Sequence, residues 1–241
     1  MSKKETSAIS NVINMFEEDA LSGVSFEAND LAIPFLSLLQ SNSPQLMENK
    51  ELRPGMIYDT VLKKGYEELL VIPCSYVKQY VEWTPRESGG GLKATYNASQ
   101  GLELLQTCKK DDKGKDILPN GNLLVPTAVY YVIYVPQWDC QESYKAIISM
   151  TSTALKKSRR WNSVMAGISM KRKDGTNFTP PVFSHAYTVT TCAETNVHGS
   201  WFNWDISLFG PVDDEDTYSE GKTFSIDMEK SHAEQRKELP F

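Results

Sequence analysis

An α+β chain built mainly of antiparallel strands is predicted by three features of the sequence. It contains several long runs rich in β-branched and aromatic residues, turn residues at almost every joint, and one persuasive amphipathic helix. The 241 residues are 40% hydrophobic and 10% aromatic, enough to bury a sizeable core. The longest apolar run, 128–136, suits a strand and falls well short of the roughly 20 residues that cross a bilayer. The start, Met1-Ser2-Lys3-Lys4-Glu5, has no apolar stretch after its lysines, so no secretory leader is expected and the chain reads as cytoplasmic, with no membrane contact.

Residues 1–30 read as a flexible lead-in with a short amphipathic helix over 9–16. Asn29-Asp30 then open an apolar stretch, 31–39, broken by Pro34. The first strong strand spans 69–83, and Pro73 within it demands an edge position or a bulge. Residues 85–91 form a loop ending in three glycines, and 109–122 form an exposed charged turn closed by Pro-Asn-Gly. Strand 127–135 follows, with 144–150 as its hairpin partner. Thr151, Ser152 and Thr153 then offer N-caps for a helix ending near Gly167. At helical spacing Ala154, Trp161, Val164, Met165 and Ile168 share one face, Lys156, Arg159 and Arg160 lie opposite, and Lys157 sits on the margin. A basic turn at 171–175 leads to strands 183–193 and 200–209, and the chain finishes in an acidic segment, 211–241. The most economical architecture is an OB-like, partly open barrel over 31–210 with a packed basic helix and an acidic C-terminal tail.

Catalytic and metal chemistry have little support in this pattern. His185, His198 and His232 lie far apart and share no ligand spacing with Cys74, Cys108, Cys140 or Cys192, so no metal, cofactor or enzyme activity is expected. No phosphate-binding loop of the GxxxxGK[ST] form occurs. Gly89-Gly90-Gly91 reads first as a flexible loop, and Asp213-Asp214-Glu215-Asp216 as a solvated acidic stretch rather than a cation site.

Charge is the most informative signal. Between 145 and 173 lie eight basic residues and no acidic one, which leaves the rest of the chain at −14 against a total of −6. A solvated face normally interleaves both signs, so this segment points to an anionic partner. In strand 69–83, simple alternation places Leu70, Ile72, Cys74, Tyr76, Lys78 and Tyr80 on one face. Rings interleaved with a cation are what single-strand binding uses, the rings stacking on bases and the cation meeting phosphate. The candidate nucleic-acid contacts are Tyr76, Lys78, Tyr80, Arg86, Lys93, Tyr130, Tyr134, Lys156, Lys157, Arg159, Arg160, Lys171, Arg172 and Lys173. Each ring has a plainer reading as core, and the basic helix face a plainer one as solvated surface.

Four stretches carry a resemblance: Ile33-Pro34-Phe35-Leu36-Ser37-Leu38-Leu39-Gln40; Val81-Glu82-Trp83-Thr84-Pro85-Arg86-Glu87-Ser88-Gly89-Gly90-Gly91-Leu92; Ser152-Thr153-Ala154-Leu155-Lys156-Lys157-Ser158-Arg159-Arg160-Trp161-Asn162; and Gly199-Ser200-Trp201-Phe202-Asn203-Trp204. Over about residues 30–210 the chain resembles the bacteriophage single-stranded DNA-binding proteins with an OB-like core. The resemblance implies sequence-tolerant binding of single-stranded DNA during phage DNA replication or recombination, in the cytoplasm of the infected bacterium. Such proteins tend to end in an acidic tail with a terminal aromatic that recruits replication partners. That gives Asp213, Asp214, Glu215, Asp216 and Phe241 a partner-binding role, although Lys222, Lys230, Arg236 and Lys237 interrupt the acidic run. A mobile tail of this charge would also compete with DNA for the basic groove. The alternative is a protein-interaction or inhibitor module that docks an acidic host protein through its basic face.

Overall fold

Val, Ile and Tyr dominate the runs that pair, and their pairing generates one large sheet. The computed structural model describes residues 15–16, 18–19, 22–23, 32–136, 142–197 and 199–237, the last four by backbone alone. Contacts divide the chain into two units, Met1–Ala32 and Ile33–Phe241. In the first, the Asp19 amide donates to the Met15 carbonyl at 3.1 Å. Most of the helix expected over 9–16 lies outside the described residues.

The second unit runs β1 (Phe35–Leu38), a one-turn helix α1 (Gln45–Glu48), β2 (Ile57–Asp59), β3 (Gly65–Tyr66), β4 (Leu69–Trp83), β5 (Leu92–Asn97) and α2 (Ala98–Thr107). It continues with β6 (Lys109–Lys110), β7 (Asp116–Ile117), β8 (Leu123–Val135), β9 (Tyr144–Thr151) and α3 (Ala154–Gly167). The small hairpin β10 (Met170–Lys171) and β11 (Asn177–Phe178), then β12 (His185–Asn196), β13 (Gly199–Pro211) and α4 (Glu215–Lys237) complete it. The main sheet has the order β13-β12-β4-β8-β9-β1-β2-β3. Its pairings are antiparallel apart from β1 against β9.

The sheet curls into a half-barrel, and side chains link β12 and β13 to the segment between β1 and β2. The Gln40 carboxamide, just after β1, donates to the Phe202 carbonyl at 2.9 Å and accepts from the Phe202 amide at 2.8 Å, substituting for a neighbouring strand. Thr191 donates its hydroxyl to the Gly55 carbonyl at 2.6 Å. Gly55 has a φ of +90°, and a Cβ there would stand 2.7 Å from the Phe202 ring, so glycine is what allows the loop to approach β13. The chain is therefore α+β with a mostly antiparallel, curled sheet. Among the described residues, no helix is long and apolar enough to cross a membrane.

Alternation along β8 sorts the core. Ala128, Tyr130, Val132 and Tyr134 face the layer that contains Trp161 and Met165 of α3, whereas Ile133 and Tyr131 face the opposite layer with Phe224 of α4. The two long helices thus lie on opposite faces of the sheet. Tyr80 anchors a separate cluster under α2, whose close approach requires Gly101.

Of the two readings of Pro73 the bulge holds, and the face alternation counted through it is corrected. Pro73 lies in a central strand, since β4 pairs with both β12 and β8, and the register shifts between Pro73 and Ser75. That bulge inserts one residue and exchanges the faces. Ile72 and Cys74 face α4, whereas Tyr76 turns to the α3 side, against Tyr130, so the six residues expected on one face are split. In addition, the glycine loop leads into β5 and α2. Asn97 and Gln100 form a capping box there, with the Gln100 amide donating to Asn97 Oδ1 at 3.0 Å.

Glu82 ties this outer region together. Its buried carboxylate accepts from Asn120 Nδ2 at 2.8 Å, Asn122 Nδ2 at 2.5 Å and the Tyr96 hydroxyl at 2.5 Å. The hydrogen bonds from Asn122 and Tyr96 outweigh burial and hold the carboxyl below its ordinary pKa. A depressed folded pKa contributes stability that is complete above the unfolded value, about 4.3, and is lost as pH falls through the lower folded value. Glu82→Gln should lower neutral-pH stability by about 1–3 kcal/mol and flatten the loss of stability below about pH 4.3. Urea melts at pH 7 and pH 3.5 test this: an unchanged acid limb in the variant rules out Glu82 as its source.

Candidate functional site

The joint between β9 and α3 builds a groove. The chain leaves β9 at Thr151, turns at Ser152 in the left-handed region (φ 49°), and enters α3 through Thr153, whose side chain makes no capping hydrogen bond. One wall of the groove is therefore rich in hydroxyls. The opposite wall is β13, where Trp201 stands directly across the β12–β13 pair from Glu194. A cavity of about 730 Å³ extends over Phe35, Gln40, Thr151 and Trp201. A second, of about 480 Å³, holds Lys156, Arg159, Glu194 and Trp201, and the two cavities share Ser152, Thr153 and Trp201.

Charge in the groove is arranged in two parts. Lys156 and Arg159 are exposed, as is Arg160 on the next helical position, and none has a carboxylate within ion-pair distance among the described residues. Lys157 instead reaches Glu194 Oε1 at 3.1 Å and Cys192 Sγ at 3.3 Å. Burial alone would lower the Lys157 pKa, but its bonds to Glu194 and Cys192 outweigh that and raise it. Asn203 Nδ2 donates to Glu194 Oε2 at 2.8 Å, and this bond, with that from Lys157, holds the Glu194 carboxyl below its ordinary pKa against the pull of burial. The groove thus presents two unpaired cations, one ring and one firmly ionised carboxylate.

The candidate contacts read from the sequence fall into separate places. Lys156 and Arg159 line the groove with Arg160 beside them. Tyr80, Tyr130 and Tyr134 are at most 2% exposed, so they have no ring face to offer a base. Tyr130 instead stacks on Trp161 at 4.3 Å and holds α3 through its hydroxyl, at 2.8 Å from Asn162 Oδ1. Tyr76 is 38% exposed and leans on Tyr130, and Lys78 lies 5.6 Å from the Tyr80 ring centre. Arg86 and Lys93 are exposed near the outer end of β4, which pairs with Leu123 and Leu124, roughly 20 Å along β8 from Tyr130. Lys171, Arg172 and Lys173 are exposed on the β10–β11 hairpin, where Arg172 is occupied by the Phe178 ring at 5.0 Å and the Asn177 carbonyl at 3.1 Å.

The acidic end also needs correction. Residues 215–237 form α4 rather than a loose tether, with Phe224 2% exposed against Ile72, Cys74, Ile133 and Ala186. Lys145 covers the Phe224 ring at 5.1 Å, and Ser143 donates to Glu220 at 2.9 Å. This helix lies on the sheet face away from α3 and does not occupy the groove. Asp213, Asp214, Glu215 and Asp216 are exposed at its start, and Phe241 lies outside the described residues.

Trp201 is the groove residue that reading the sequence missed. The cross-strand register Glu194 to Trp201 around the Asn196–Gly199 turn would have placed its ring beside a carboxylate, had strand ends been fixed to one residue. Among the described residues no cluster of three or more His, Cys, Asp or Glu side chains is placed to hold a metal.

No curated protein and no solved structure matches the chain. A family model described as Pam3 phage gp34-like protein matches residues 3–234, nearly the whole length, and the chain therefore belongs to the Pam3 phage gp34-like protein family.

Proposed function

We propose that the chain is a sequence-tolerant single-stranded DNA-binding protein that serves phage DNA replication or recombination in the cytoplasm of the infected bacterium. The observation that carries this reading is the sharing of one groove by Trp201 and the unpaired cations Lys156 and Arg159. A base released from its stack can lie on the ring while its phosphates meet the cations, and each such stack contributes roughly 1–3 kcal/mol. The curled sheet is compatible with an OB-like barrel, a fold that binds strands across a curved sheet face. Hydroxyls from Thr151, Ser152 and Thr153 add uncharged donors for phosphate and sugar. A duplex keeps its bases stacked inside and cannot use Trp201 in this way.

The test is a fluorescence titration, since Trp201 lies in the groove. A single-stranded oligonucleotide should quench emission and bind more tightly than the duplex of the same sequence at the same salt. Equal affinities would show that only general charge attraction is at work.

A further inference from the structure

We propose, resting on the single-strand reading above, that Glu194 gives this groove a preference for bases that carry an exocyclic amino group, so that cytosine is bound more tightly than thymine beside Trp201. Glu194 and Trp201 are directly opposed on β12 and β13, so their side chains project from the same sheet face at neighbour distance. Both line the cavity that holds Lys156 and Arg159. A base stacked on the Trp201 ring therefore presents its edge to the carboxylate.

The chemistry of that edge decides the preference. An ionised carboxylate only accepts hydrogen bonds, and its two oxygens offer about four lone-pair directions. One oxygen takes Lys157 and the other takes Asn203, so acceptor capacity remains while the side chain stays fixed between β12, β13 and α3. Cytosine offers its N4 amino group as a donor, the pairing that acidic side chains make with this base. Thymine presents the O4 carbonyl at the equivalent place, which sets acceptor against acceptor. The carboxylate also repels phosphate, so it fixes which wall of the groove meets bases and which meets the backbone.

Sequence-tolerant binders usually draw their mild preferences from stacking and backbone flexibility. Here a charge-assisted hydrogen bond is superposed on that tolerance. One such contact at a partly exposed site should be worth roughly tenfold in affinity.

The experiment compares homo-oligonucleotides of dC, dT and dU of equal length with the full chain, at pH 7.5 and one salt concentration. The expected order is dC tightest, by about tenfold, with dT and dU alike. The uridine strand separates the amino group from the thymine methyl, since it carries O4 and lacks the methyl. Glu194→Gln should bring the dC to dT ratio within about twofold, because an amide can donate to O4 as well as accept from N4. Equal affinity of the wild type for dC and dT overturns this proposal and leaves single-strand binding standing, as does dU binding as tightly as dC. No binding to any of the three strands overturns the single-strand reading and the preference together.

Discussion

Trp161→Ala should destabilise the protein by about 3–5 kcal/mol, among the largest effects of any single substitution in this chain. The indole is 2% exposed and lies at the junction of α3 with the sheet. It stacks on Tyr130 at 4.3 Å and meets the Tyr187 ring edge-on at 5.6 Å. Aromatic pairs of this geometry contribute about 0.5–1.5 kcal/mol beyond the area they bury. Removing the ring also opens a cavity that the sheet cannot close, because Tyr130 is held in place by its own bonds to Ser158 and Asn162. The effect extends to function, since Trp161 sets the height of α3 on the sheet and hence the placement of Lys156 and Arg159. Urea denaturation followed by circular dichroism measures the loss. A change below about 1 kcal/mol would mean that α3 is not anchored by this ring.

The strands and α3 were legible in the sequence because their signals are local. Strand 69–83 is bounded by turn residues, and the helix that begins after Thr153 has three hydroxyl residues before it and an apolar face around Trp161. What was not legible depends on register and on long-range packing. Pro73 announced a bulge, but a bulge inverts every side chain after it, so alternation counted through Pro73 placed Tyr76 with Cys74 when the two face opposite layers. Tyr80 and Tyr130 could not be distinguished from surface rings without knowing that α2 and α3 cover them. The charge count made 211–241 look like a free tail, but it weighed Phe224 and Met228 at nothing, and these two apolar residues dock α4 on the sheet. Trp201 stayed hidden for a related reason: the cations beside it in the groove, Lys156 and Arg159, belong to α3, more than 40 residues away along the chain.

Lys156→Ala, Arg159→Ala and Arg160→Ala together should weaken single-stranded DNA binding strongly while leaving the fold intact. All three side chains are exposed, and none lies on the buried side of α3 formed by Ser158, Trp161 and Met165. Among the described residues they make no ion pair whose loss would strand a buried partner, in contrast to Lys157, whose removal would leave Glu194 uncompensated. Lysine and arginine are good helix formers, and alanine is better still, so the backbone loses nothing by the change. The thermal midpoint should therefore stay within a few degrees of the wild type. Binding should respond quite differently. Each phosphate contact contributes about 0.7 to the slope of log affinity against log salt for a single strand, so losing three should reduce that slope by about 2. At low salt the affinity should drop far more than at high salt, where counterions already compete. Trp201→Ala provides the contrasting variant. It removes a stacking platform worth roughly 1–3 kcal/mol without touching a cation, so it should weaken binding at every salt concentration and leave the slope unchanged. Titrating both variants and the wild type with one oligonucleotide at three or more salt concentrations separates charge from stacking. A triple variant with the wild-type slope would identify the exposed face of α3 as solvated surface and place the DNA elsewhere on the molecule.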